Sequence, residues 1–144
     1  MKSFLKPVAA AGLTLGLLAS TVTLVSAEIE PLDVTLGGCN IHITKPFGVG
    51  GNKLQGAIDI LDCPSDRRVV VSVYRGSNQL NGTGRATDFP DGTDGIHIES
   101  DRSNACNSGN NINYKTHVKV KELSTGTVLD EANGNTKSFD LDCN

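Results

Sequence analysis

Three histidines, His42, His97 and His117, are the side chains of this 144-residue chain best suited to proton transfer or metal binding. Each stands at the polar step of a stretch whose neighbours are apolar or β-branched: Ile41-His42-Ile43, Ile96-His97-Ile98 and Thr116-His117-Val118. That pattern predicts strands with the imidazoles pointing outward. Three outward imidazoles meet only if their strands are adjacent in one sheet, and a three-histidine zinc site would then be open to them. No H-x-H or H-E-x-x-H spacing supports such a site, so ordinary surface histidines are the plainer expectation.

A second candidate is the carboxylate-rich stretch holding Asp88, Asp91 and Asp94, followed by Glu99 and Asp101. Calcium takes roughly six to eight oxygens from a glycine-permitted loop. Here the acids recur at every third residue instead of every second, so this is no EF-hand loop. A solvated turn is preferred to a weak calcium site, and no other cofactor is implied. Acyl-transfer chemistry finds no G-x-S-x-G elbow. The cluster Gly48-Val49-Gly50-Gly51-Asn52-Lys53 lacks the Ser or Thr of a phosphate-cradling loop and is read as a flexible connection. A small secreted hydrolase or metal-dependent enzyme, using the histidines and nearby acids, is the alternative to a binding role.

The third candidate is the loop over residues 100–113, SDRSNACNSGNNIN. Its Asn, Ser and Gly resemble an adaptable polar contact surface, held at Cys106. Arg102, Asn104, Asn107 and Asn110 are its candidate binding residues. Replacing Asn107 and Asn110 with Ala is expected to weaken partner binding while leaving the melting temperature unchanged. One basic strip also occurs, Lys115, His117, Lys119 and Lys121, read chiefly as edge-strand protection.

The elements that must position these groups read as short strands. Leu32, Val34 and Leu36 alternate, as do Cys39, Ile41 and Ile43, then Ile58 and Ile60, then Val69, Val71 and Val73. Further alternation runs through Ile96 and Ile98, through Thr116, Val118 and Val120, and through Phe139, Leu141 and Cys143. Asn81-Gly82 and Asn133-Gly134 are type I′ turn dipeptides. A two-residue turn at the first sets Tyr74 opposite Phe89 and Arg75 opposite Asp88; at the second it sets Val128 opposite Phe139 and Asp130 opposite Lys137. Ser124-Thr125-Gly126 is expected to turn one strand into the next, making the C-terminal third a three-stranded meander. The fold expected is all-β: an antiparallel β-sandwich of immunoglobulin-like architecture with about seven strands, or alternatively a small closed barrel.

Residues 1–27 have the layout of a secretory signal peptide, with Lys2 and Lys6, an apolar stretch over 8–25, and Val25-Ser26-Ala27 ahead of Glu28. Residues 28–144 then form a single domain with 11 bases and 16 acids, a net of −5. Such an acidic chain is poorly suited to nucleic acid, and membrane insertion is not expected after cleavage. It contains no Trp, which disfavours a sugar- or base-stacking platform. An exported chain with Cys39, Cys63, Cys106 and Cys143 reads as two disulfides. Three connectivities are open, with Cys39–Cys63 and Cys106–Cys143 favoured. The functional expectation is a secreted, non-catalytic, monomeric module that binds an extracellular protein as inhibitor, effector or envelope-associated component. A self-associating structural component is the third class.

Overall fold

Alternation of β-branched and polar residues builds most of the described chain from strands, with no helix among the described residues. The computed structural model describes residues 31–143, so the leader expected over 1–27 lies outside the described residues. Twelve strands follow one another: β1 (Leu32–Leu36), β2 (Cys39–Ile43), β3 (Phe47–Gly48), β4 (Lys53–Gln55), β5 (Ala57–Cys63), β6 (Arg67–Arg75), β7 (Asn78–Gln79), β8 (Arg85–Phe89), β9 (Thr93–Glu99), β10 (Ser103–Asn104), β11 (Asn111–Glu122) and β12 (Val128–Asp140). The excess over the seven expected comes largely from β3, β4, β7 and β10, pieces too short to show as periodicity.

All pairings are antiparallel. One sheet has the order β1-β2-β5-β9, and a second has β12-β11-β6-β7 with β8 also on β6. A small sheet, β10-β4-β3, completes the set. The inner residues of the two large sheets form one buried cluster: Ile41, Ile43, Ile58 and Ile60 from the first, Val69, Val71, Val118 and Val120 from the second. The arrangement is sandwich-like and does not close into a barrel. A second cluster, Leu54, Val73, Ala105 and Tyr114, fills the end beneath the small sheet, with the Tyr114 hydroxyl donating to the Ala105 carbonyl at 3.1 Å.

Both favoured disulfides are present. Cys39–Cys63 ties neighbouring strands β2 and β5 inside the core, and Cys106–Cys143 ties the loop after β10 to the C-terminal tail. The turn at 124–126 also forms, with the Gly126 amide donating to Glu122 and β11 running back into β12.

Two hairpins differ from expectation. The two-residue turn after β6 is Gly76-Ser77, where Arg75 faces Asn78, and Gly76 has φ 60°. Asn81-Gly82 instead caps a protrusion that returns the chain to β6 farther along. Arg67 then faces Phe89 and Arg68 faces Asp88, in place of Tyr74 and Arg75. Thr83 pins this protrusion: its hydroxyl accepts from the Val73 amide at 3.1 Å and donates to the Leu80 carbonyl at 2.7 Å. At Asn133-Gly134 the chain does not turn. Strand β12 continues through it with a bulge, Asn133 facing His117 and Thr136 facing Lys115, so Asp130 faces Val120 and Phe139 faces Ile112, and the C-terminal third is one long hairpin instead of a meander. Gly134 serves close approach, since a Cβ there would stand 2.6 Å from Ile43 Cγ2. The cluster at 48–53 is no loose connection but the tight hairpin of β3 and β4, with Val49 N donating to Lys53 O.

Crossing from β8 to β9 takes the chain from one large sheet to the other through Pro90-Asp91-Gly92. Gly92 has φ 83°, and a Cβ there would lie 3.0 Å from the Cys63 carbonyl oxygen. Gly92→Ala is therefore expected to cost about 1–2 kcal/mol from the left-handed conformation alone, read as a lowered urea midpoint. Replacing Cys39 and Cys63 with Ser is expected to cost about 3–4 kcal/mol on the chain-entropy model. A midpoint unchanged in both variants contradicts these assignments.

Candidate functional site

Strand register places His42 and His97 in one row across the first sheet. Asp33 faces His42, His42 faces Asp59, and Asp59 faces His97, one residue from each of β1, β2, β5 and β9. Alternation in each strand puts the apolar neighbours inward and this row outward. His42 Nδ1 donates to Asp33 Oδ1 at 2.6 Å, and His97 Nδ1 donates to Asp59 Oδ1 at 2.6 Å. Glu99 Oε1 stands 3.6 Å from the other His97 nitrogen. Acid and imidazole therefore alternate across the four strands. His97 is more basic than an ordinary histidine, chiefly through its hydrogen bond to Asp59, with the charges of Asp59 and Glu99 adding and partial burial opposing.

His117 behaves differently. It lies in the second sheet and, although at an outward step, is 6% exposed. The Tyr74 ring covers it at 4.3 Å between centroids. Its Nδ1 donates to Asn133 Oδ1 at 2.9 Å. Nε2 is buried without a hydrogen bond, the Glu131 carboxylate standing 3.5 Å away and also holding Lys119 at 3.3 Å. Register sets Ser72 on its other side, so Ser72, His117 and Asn133 run across three strands in the residue order of a nucleophile, a base and an orienting amide. No hydrogen bond joins Ser72 to His117, and Ser72 is 2% exposed. The row packs; it presents no nucleophile to a substrate. The three histidines do not converge, and among the described residues no group of three or more His, Cys, Asp or Glu side chains could hold a metal.

The acids proposed for calcium separate in the same way. Asp88 is held by Arg68 through two bonds of 2.5 and 2.8 Å, which lower its carboxyl pKa. Asp91 lies in the turn and Asp94 on β9.

In the loop held by Cys106, Arg102, Asn104 and Asn110 are exposed. Asn107 is 6% exposed and mimics a strand. Its Nδ2 donates to the Phe139 carbonyl at 2.9 Å, and its Oδ1 accepts from the Leu141 amide at 2.9 Å. Asn110 Nδ2 donates to the Asn107 carbonyl at 3.1 Å. Asn107 thus clamps the loop to the end of β12, which the composition of the loop did not reveal. Its replacement cannot leave stability untouched, contrary to the sequence expectation.

What the residue types did not show is how charge divides between the sheets. The strands β1, β2, β5 and β9 carry Asp33, Asp59, Asp62, Asp94 and Glu99 and no Lys or Arg. The strands of the second large sheet carry eight Lys and Arg against five Asp and Glu. On the acidic face a depression of about 370 Å³ is lined by Asp33, Thr35, Asn40 and Leu61, among others. Leu61 is the extra residue of a bulge between β2 and β5 and is 52% exposed. A cleft of about 330 Å³ opens where β8 and β9 part, between Arg85 and Thr87 on one side and Ile96 to Glu99 on the other.

Two outcomes are expected. Asn107→Ala lowers stability by about 1–3 kcal/mol, the cost of a buried backbone group left without its partner, measurable by urea denaturation. For His97, the folded pKa exceeds the unfolded one, so its contribution is fully present below about 6.5 and disappears as pH rises through the folded value. His97→Asn is therefore expected to lower the melting temperature at pH 5.5 and to leave it nearly unchanged at pH 8.5. An equal loss at both pH values excludes the ion pair. No protein-family model matches this chain, and no curated protein matches it.

Proposed function

We propose that this chain is a secreted, non-catalytic binding module that engages an extracellular protein through the acidic outer face of its four-stranded sheet. The observation that carries the reading is the segregation of charge: four adjacent strands bear five acids and no Lys or Arg. A face whose fixed charges are all carboxylates, with His42 and His97 set among them, steers a partner of opposite charge and fixes its orientation. The exposed Leu61 beside Asp33 supplies an apolar contact within that face. Two disulfides support an oxidising compartment, in keeping with a leader cleaved before Glu28. Residues 28–144 then act as a single domain, whose two facing sheets we read as a variation on the immunoglobulin-like sandwich. The loop of Arg102, Asn104 and Asn110 offers a second polar surface near the Cys106–Cys143 bond.

Two measurements test this. Native mass spectrometry of the protein from its own culture medium is expected to show a chain starting at Glu28 and lighter than its reduced form by the hydrogens of two disulfides. Immobilised protein is then expected to retain a protein from that medium at low salt. The variant Asp33→Asn/Asp59→Asn/Glu99→Gln is expected to lose it. Equal retention by both, or retention by neither, removes the acidic face as the binding surface.

A further inference from the structure

The face opposite the acidic one is built to complement it. On β11, Lys115, Lys119 and Lys121 share one side of the strand with His117, and all three lysines are half-buried. Register places Lys121 beside Arg68 and Lys119 beside Val70. Glu131 neutralises Lys119, and Asp88 neutralises Arg68. Lys115 and Lys121 make no ion pair among the described residues, so two ammonium groups on this face lack an anion.

The depression on the acidic face has the chemistry to take such a group. The Asp33 carboxylate, with its side chain 76% exposed, meets His42 through Oδ1 and keeps further acceptor capacity, as do Asn40 Oδ1, which accepts from the Thr35 hydroxyl at 2.8 Å, and the Thr35 hydroxyl oxygen itself. Leu61 offers an apolar wall for the methylene stem of a lysine. We infer that the partner of the acidic face is the lysine-bearing β11 face of a second copy of this chain, so that copies stack head to tail. This rests on the acidic face being the binding surface. A two-fold pairing of like faces would set acid against acid or lysine against lysine, whereas the head-to-tail arrangement joins opposite charges. Such an interface is heterologous and extends instead of closing at a dimer. Because its charges are exposed, it is weakened by salt.

Sedimentation velocity of the secreted protein, with both disulfides intact, tests the inference. At low salt the wild-type chain is expected to show species beyond the dimer as concentration rises. In about 0.5 M NaCl, where the screening length is a few ångströms, it is expected to return to monomer. Asp33→Asn/Asp59→Asn and Lys115→Gln/Lys121→Gln are each expected to stay monomeric alone. Mixed together they are expected to form heterodimers and nothing larger, since each retains only one working face. A wild-type protein that is monomeric at every concentration overturns the inference, as does association of either variant like wild type. The salt series on the wild-type chain decides the matter even if a variant fails to fold. Binding of poly-L-lysine separates the two readings. A monomeric wild-type protein that binds it, while Asp33→Asn/Asp59→Asn does not and the charge-matched Asp130→Asn/Asp140→Asn does, keeps the acidic face and excludes the second copy. No difference among the three discards both.

Discussion

Val69 and Val71 on β6 and Val118 and Val120 on β11 lie in one buried cluster with Ile41, Ile43, Ile58 and Ile60 of the opposite sheet, and the remaining architecture depends on this contact. With no Trp in the chain and no helix among the described residues, hydrophobic stabilisation rests mainly on side chains of this size. Each fully buried one contributes about 1.5–3 kcal/mol, and their stiff χ1 angles make them well-defined surfaces for a facing sheet. The contact also forbids slippage. A shift of one residue in any of these strands would carry the valines or isoleucines outward and bring Asp59, His42 or Lys119 inward. The close approach of the sheets is visible where Gly134 and Gly37 meet Ile43 and Val120, positions at which a Cβ would collide.

Because the inner faces must be apolar, ionisable groups can occupy only the outer faces, the edges and the turns. Strand order then decides how they are grouped. The acids of β1, β5 and β9 become neighbours of the histidines of β2 and β9, and each histidine finds a carboxylate at hydrogen-bonding distance. On the other face Lys119 of β11 meets Glu131 of β12, and the aromatic ring of Tyr74 covers His117. A protein with a modest net charge thus presents two surfaces of opposite character. Contacts of this kind govern orientation and association rate more than affinity, which is consistent with the binding role we propose.

The end of the molecule near the Cys106–Cys143 bond is organised by polar contacts. Asn107 supplies a donor to the Phe139 carbonyl at the end of β12 and an acceptor to the Leu141 amide just beyond it. The Tyr114 hydroxyl reaches the Ala105 carbonyl, and the Asn52 side chain reaches the Asp142 carbonyl at 2.7 Å. Buried backbone groups require partners, so a loop rich in asparagine here is partly a substitute for sheet structure.

Local chemistry alone determined much of this. Alternation marked the inward valines and isoleucines and the outward steps of His42 and His97, because side-chain direction along a strand has a period of two whatever the strand pairs with, and Ser124-Thr125-Gly126 marked its own turn. Four cysteines in an acidic, export-like chain pointed to two disulfides. Tertiary structure decided the rest. Asn81-Gly82 could not make its hairpin because Gly76-Ser77 had already turned the chain, and Asn133-Gly134 was drawn into β12 by a ladder with β11 that outweighs the preference of one dipeptide. The burial of His117 depends on Tyr74 and Asn133, far away in sequence, and the gathering of acids on one face depends on β9 lying beside β5 instead of β8. Which strands become neighbours is set by the mutual burial of distant apolar faces, and no local pattern carries that information.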